Sequence, residues 1–134
     1  MATILAHLKI KPGCETQFES IAAELFNGTH EHETKVQRYE YWCGEEPGTY
    51  YTLLSFDDHQ AFIEHQVSDH HEKASPKLGD VCAAIRLEWV DPMQTASPLP
   101  STNAQSAPDG ADELTNKYTD LYAAKVAEWW LSLR

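Results

Sequence analysis

Residues 65–80 read HQVSDHHEKASPKLGD and hold three of the chain's seven histidines, with carboxylates on either side. Two chemistries suit such a cluster: metal ligation and proton transfer. Ligands on one helical face need a spacing of three or four, as in HExxH. His65 and His70 are five apart, and the adjacent His70 and His71 point about 100° apart on a helix. His30 and His32 lie upstream and join them only if the fold brings them close. The spacing therefore predicts no metal site. A neutral imidazole on a pocket wall can instead take up a proton near neutral pH, with His65 as the proton acceptor and His70 beside the ligand. The competing role is structural, an imidazole bonded to a helix cap or tying its helix to the following loop.

Around this cluster the sequence is rich in aromatic residues: Tyr39, Tyr41, Trp42, Tyr50, Tyr51, Phe56 and Phe62. Aromatic walls with a few polar tips suit a planar organic ligand, and Tyr39, Tyr51 and Phe62 are the candidate contacts. They suit a packed core equally well. No GxGxxG, P-loop or GxSxG motif is present, so nucleotide binding and α/β-hydrolase chemistry have no support. Cys43 and Cys82 have no neighbouring histidine to activate them and read as small buried hydrophobes.

The elements that must position these residues follow from periodicity. Residues 3–11 alternate, with Ile4, Ala6, Leu8 and Ile10 on one face, which predicts a strand ended by Pro12-Gly13. From Glu15 the period becomes helical through Phe18, Ile21, Ala22, Leu25 and Phe26, with Asn27-Gly28 as the expected stop. Residues 37–43 and 50–56 predict two strands joined at Pro47-Gly48. Asp57 or Asp58 caps a second helix carrying Ala61, Phe62, Gln66 and Val67. A further helical segment begins at Ser68 or Asp69 and is expected to stop at Gly79. Alternating Val81, Ala83, Ile85, Leu87 and Trp89 complete a fourth strand. The order β-α-β-β-α-β predicts an α+β, ferredoxin-like antiparallel sheet with helices on one face. Apolar and aromatic residues on both strand faces call for a second cover, and a homodimer packed sheet to sheet supplies it.

Residues 93–112 are rich in Pro, Ser, Thr and Ala and read as an extended linker between a domain of residues 1–92 and a tail. Residues 113–134 predict one amphipathic helix with a stripe of Leu114, Tyr118, Leu121, Tyr122, Trp129 and Leu133. It must dock to fold, on its own subunit, on the partner, or in a higher oligomer.

Bulk properties narrow the partners. The chain has 134 residues, enough for one core, and 42% of them are hydrophobic. Ten Lys and Arg against 21 Asp and Glu give a formal charge of −11, which disfavours nucleic acid and anionic membranes. No apolar run is long enough to span a bilayer, and the first residues lack the pattern of a secretory leader. Three widely spaced cysteines fit a reducing cytoplasm.

The stretches HLKIKPGCETQFESI, RYEYW and FDDHQAFIEHQVSDHHEKASPKLGD, followed by a strand ending EWVDP, resemble the antibiotic biosynthesis monooxygenase family as an ordered set over roughly residues 2–92. The family's aromatic, acidic cap, Ala and His-x-x-Ser-x-His correspond to Phe56, Asp57, Ala61, His65, Ser68 and His70. Strand three carries Leu54 and Phe56 where the family often has Glu-x-Trp. The resemblance implies a dimeric α/β barrel. It also implies oxidation of quinol-like or polycyclic aromatic substrates without metal or cofactor, with His65 taking a phenol or quinol proton. A non-enzymatic dimer of the same fold, binding a small ligand or serving assembly, is the alternative. An enclosed cavity with converging polar groups between sheet and helix separates the two.

Overall fold

The computed structural model describes residues 1–134. Its elements are β1 (Ala2–Ile10), α1 (Glu15–His32), β2 (Val36–Cys43), β3 (Thr49–Phe56), α2 (His59–Gln66), α3 (Asp69–Val81), β4 (Cys82–Trp89), α4 (Glu113–Leu121) and α5 (Glu128–Leu131). The strands form one antiparallel sheet in the order β2-β3-β1-β4. This is the expected α+β, ferredoxin-like arrangement, with α1, α2 and α3 on one face.

Period-two alternation decides what each face carries. On β1, Ala2, Ile4, Ala6, Leu8 and Ile10 are buried beneath the helices. Register extends that face across the sheet. Tyr39 lies opposite Leu54 and Tyr41 opposite Thr52 on one side, and Leu87 opposite Ala6 on the other. The opposite face has no helix. It carries Leu5 against Leu53 and His7 against Tyr51, with Trp42 paired to Tyr51 and 58% exposed. The turn between β2 and β3 depends on Gly48 (φ 73°). A Cβ there would lie 3.2 Å from the Ile10 carbonyl oxygen, which leaves glycine as the residue that fits.

Three boundaries differ from the sequence reading. Asn27-Gly28 does not end α1, which runs on to His32. Gly28 is there for packing: a Cβ would meet the His70 ring at 3.2 Å, so its absence lets α3 approach α1 closely. Gly79 likewise lies inside α3, which continues to Val81, so β4 starts at Cys82. The tail is not one helix. It breaks after Leu121, where Tyr122 leaves the helical region (φ −109°, ψ 38°) and its carbonyl accepts from His59 Nε2 at 2.9 Å.

Nor are residues 93–112 a free spacer. Thr102 is fully buried; it receives the Thr3 N–H at 3.2 Å and donates to the Val90 carbonyl at 2.7 Å. The Asn103 N–H bonds the Met1 carbonyl at 2.9 Å. Arg134 closes the strap on Asp91 at 2.9 Å and on the Thr102 carbonyl at 2.6 Å. Of the expected stripe, Tyr118 and Tyr122 pack on the subunit's own core, while Leu121, Trp129 and Leu133 stay exposed. No helix is long and apolar enough to cross a membrane.

Candidate active site

The end of α1 and the junction of α2 with α3 converge on one side of the sheet. Glu33 is the C-cap residue of α1, extended at φ −111° and ψ 120°, and the turn swings its carboxylate inward. Asp58 caps α2 by accepting the Ala61 N–H at 2.8 Å, which places His65 in the last turn of that helix with no exposed surface. Ser68 caps α3 by accepting the His71 N–H, and its hydroxyl donates to the His65 carbonyl at 2.7 Å. One short segment thus fixes His65, His70 and His71 together.

A single carboxylate oxygen organises the histidines. Glu33 Oε1 lies 2.8 Å from His65 Nδ1 and 2.7 Å from His70 Nε2. An ionised carboxylate only accepts, so both nitrogens carry their protons. His65 is thereby held as the Nδ1–H tautomer, leaving the Nε2 lone pair bare. That Nε2 is buried and has no hydrogen-bond partner, and the same holds for His71 Nδ1.

Both imidazoles line a cavity of about 300 Å³ between the helices and the sheet, floored by Ala6, Leu8, Thr52 and Leu54 and walled by Tyr39, Tyr41 and Tyr122. The Tyr39 ring stands 5.0 Å from that of His65, and its hydroxyl meets the Tyr41 hydroxyl at 3.1 Å. Burial, then repulsion from His70, pushes the His65 imidazole down to about 3. Burial, then His65, does the same to His71, also to about 3. Both are neutral at pH 7. Glu33 is raised by burial, an effect its hydrogen bond to His70 opposes. Its contact with His65 favours an imidazolium there and so works against the drop. The arrangement is a neutral base with a carboxylate behind it, ready to hold the charge once a proton arrives.

Of the residues singled out from sequence, His65 and Tyr39 meet at this cavity. His70 does not line it. His70 supports Glu33 from the outer side, on a polar groove shared with His32, Lys35 and Lys73. Phe62 is fully buried against Phe56, Trp89 and Tyr122. Tyr51 lies on the opposite sheet face, its ring edge-on to His7 at 5.6 Å. Glu33, His71 and Tyr122 are additional site residues. His71 was visible within the motif; Glu33 and Tyr122 are placed by tertiary structure.

Glu33, His65 and His70 also offer one oxygen and two nitrogens within 4.8 Å of one another. A tetrahedral metal with ligands at 2.0–2.1 Å would hold them roughly 3.3 Å apart. The oxygen-to-nitrogen distances of 2.8 and 2.7 Å are those of hydrogen bonds. As arranged, the cluster is satisfied by two protons and would have to open to take an ion.

Fold and site together define an α+β protein with a carboxylate-backed histidine facing an apolar cavity. The chain belongs to the antibiotic biosynthesis monooxygenase family, whose profile matches residues 1–77. It is similar to a Caulobacter crescentus protein classed with those monooxygenases, at 24% identity and a TM-score of 0.65 over 68% of this chain and 88% of that one. A Pseudomonas aeruginosa protein, PA3566, shares the fold at 17% identity and a TM-score of 0.61, over 66% and 90% of the two chains. Rv0793 of Mycobacterium tuberculosis does so at 15% identity and 0.65, over 72% and 98%. No curated protein matches the sequence.

Proposed function

We propose that the protein is a cofactor-independent monooxygenase acting on a quinol-like or polycyclic aromatic phenol, as a homodimer joined through the open face of its sheet. The observation that carries this reading is the bare Nε2 of His65, buried at an apolar cavity with Glu33 fixing its tautomer. Nε2 takes the phenolic proton, and Glu33 stabilises the imidazolium that results. The phenolate delocalises its charge onto a ring C–H carbon ortho or para to the oxygen, which gives up electrons to O₂ and forms a C–O bond, and the imidazolium returns its proton to the resulting peroxide. The hydroperoxide then loses water: one oxygen stays as a carbonyl, the other leaves as H₂O, and the phenol ring, oxidised to a quinone, supplies all four electrons. Tyr39, Tyr41 and the aliphatic floor hold the ring and keep water out. For the dimer, the support is Trp42 exposed beside Tyr51, Leu5 and Leu53 on a face with no helix over it.

Oxygen uptake over a panel of quinols, naphthols and anthrones, one to three rings in size, tests the activity. His65→Ala should lower turnover by about 10²-fold or more while circular dichroism stays unchanged. Equal turnover would remove His65 from the chemistry. Absence of uptake by the wild type across the panel would favour the binding-module alternative.

A further inference from the structure

The C-terminal extension delivers a side chain into the site. Tyr122, just past the end of α4, stands in the wall of the His65 cavity beside Ile85 and Leu87 of the edge strand β4. It lies well outside the family match, which ends at residue 77.

Three contacts tie this wall to the elements that carry the site. His59, on the same helix as His65, donates from Nε2 to the Tyr122 carbonyl at 2.9 Å. Its Nδ1 accepts the Gln105 N–H at 3.0 Å, so one buried imidazole pins both the strap and the end of α4. Tyr118, one turn earlier on α4, donates its hydroxyl to Glu72, the residue after His71. The Tyr122 ring rests edge-on against Phe62 at 5.8 Å and against Tyr118 at 5.6 Å. It is therefore a supported wall rather than a loose side chain.

We propose that Tyr122 is the specificity-determining residue of this cavity, limiting it to phenols or quinols of one or two fused rings. The proposal rests on the reading of the His65 cavity as the substrate site. The cavity's volume of about 300 Å³ is at the bottom of the ~300–1,000 Å³ range of small-molecule sites. The sheet floor and the helices α1, α2 and α3 are core elements with little freedom to give way. The phenol ring of Tyr122 belongs to a separate, strapped-on segment and occupies the side where Ile85, 48% exposed, marks the edge of the core. Removing that ring lengthens the cavity along β4; enlarging it shortens the cavity.

The test is binding of phenol, 1-naphthol and 9-anthrol, measured anaerobically by calorimetry, to the full-length chain and to Tyr122→Ala, Tyr122→Phe and Tyr122→Trp. The wild type should take the first two and reject the third. Tyr122→Ala should gain the three-ring probe by at least about tenfold, the scale on which a pocket discriminates steric differences. Tyr122→Phe should keep the wild-type ranking, and Tyr122→Trp should lose the two-ring probe, so the size limit remains testable even if the alanine variant unfolds. An unchanged ranking in the alanine and tryptophan variants would overturn the proposal, as would wild-type binding of all three. If His65→Ala still alters binding in that case, only the role of Tyr122 falls. If no probe binds any of the proteins, the reading of the cavity falls with it.

Discussion

Lowering the pH from 7 to 5.5 should cost the fold about 2–3 kcal/mol through two side chains, His65 and His71. Both are buried neutral, with their imidazoles pushed down to about 3 mainly by burial. In the unfolded chain each titrates near the ordinary value of about 6.5. Below that value the unfolded state binds protons that the folded state refuses. The stability conferred by the lowered pKa is thus present above about 6.5 and is lost as the pH falls towards about 3. Between pH 7 and 5.5 each group contributes about 1–1.5 kcal/mol. Glu33 and Glu72 are the carboxylates beside them. Glu33, raised by burial, binds its proton more readily when folded and offsets part of the loss at more acidic pH.

The assay is urea unfolding followed by circular dichroism at pH 7 and 5.5, at one protein concentration so that any dimer contributes equally. The double variant His65→Asn, His71→Asn removes both groups and should flatten the response in this window, whatever its absolute stability. If wild type and double variant lose the same stability between the two pH values, the two imidazoles are not held neutral and the reasoning is refuted.

Two further outcomes follow from the same geometry. Glu33→Gln keeps an acceptor for His65 Nδ1 but removes the charge, so turnover should fall by about 10²-fold or more with the fold intact; unchanged turnover would show that the carboxylate only positions the ring. Gly28→Leu should destabilise the protein by about 1–3 kcal/mol by overpacking the α1–α3 contact, since even a Cβ there meets the His70 ring at 3.2 Å; an unchanged melting temperature would show that the contact yields freely.

Much of the scaffold was legible because strands and helices write their periods into the chain. Register parity was also legible but only partly used. Tyr39 lies opposite Leu54, so it shares a face with residues 50, 52 and 54, and a hairpin in that register places Tyr51 on the other side. The end of α1 was misplaced because Asn-Gly is a strong local stop signal, whereas the use of Gly28 depends on His70, far along the chain. The break after Leu121 coincides with a contact that is also far along the chain: the Tyr122 carbonyl accepts from His59, 63 residues earlier. Glu33 could not be singled out because its partners are 32 and 37 residues away, and nothing local distinguishes it from the other acidic residues of an acidic chain.

The orphan nitrogens are where the sequence departs most from what stability alone would select. Nineteen apolar residues form the core, and His65 sits among them with no exposed surface. An unsatisfied buried polar atom costs about 1–3 kcal/mol, and His65 Nε2 and His71 Nδ1 each carry that cost. A leucine or phenylalanine at position 65 would avoid it and give up the hydrogen bond to Glu33. With the imidazole in place, that hydrogen bond leaves Nε2 bare on a residue of the cavity wall. A ligand bringing an O–H to Nε2, as proposed above, would relieve that cost. A site of this kind gains affinity and a free lone pair from the same omission, and this links the stability predicted to fall in acid to the chemistry proposed at His65.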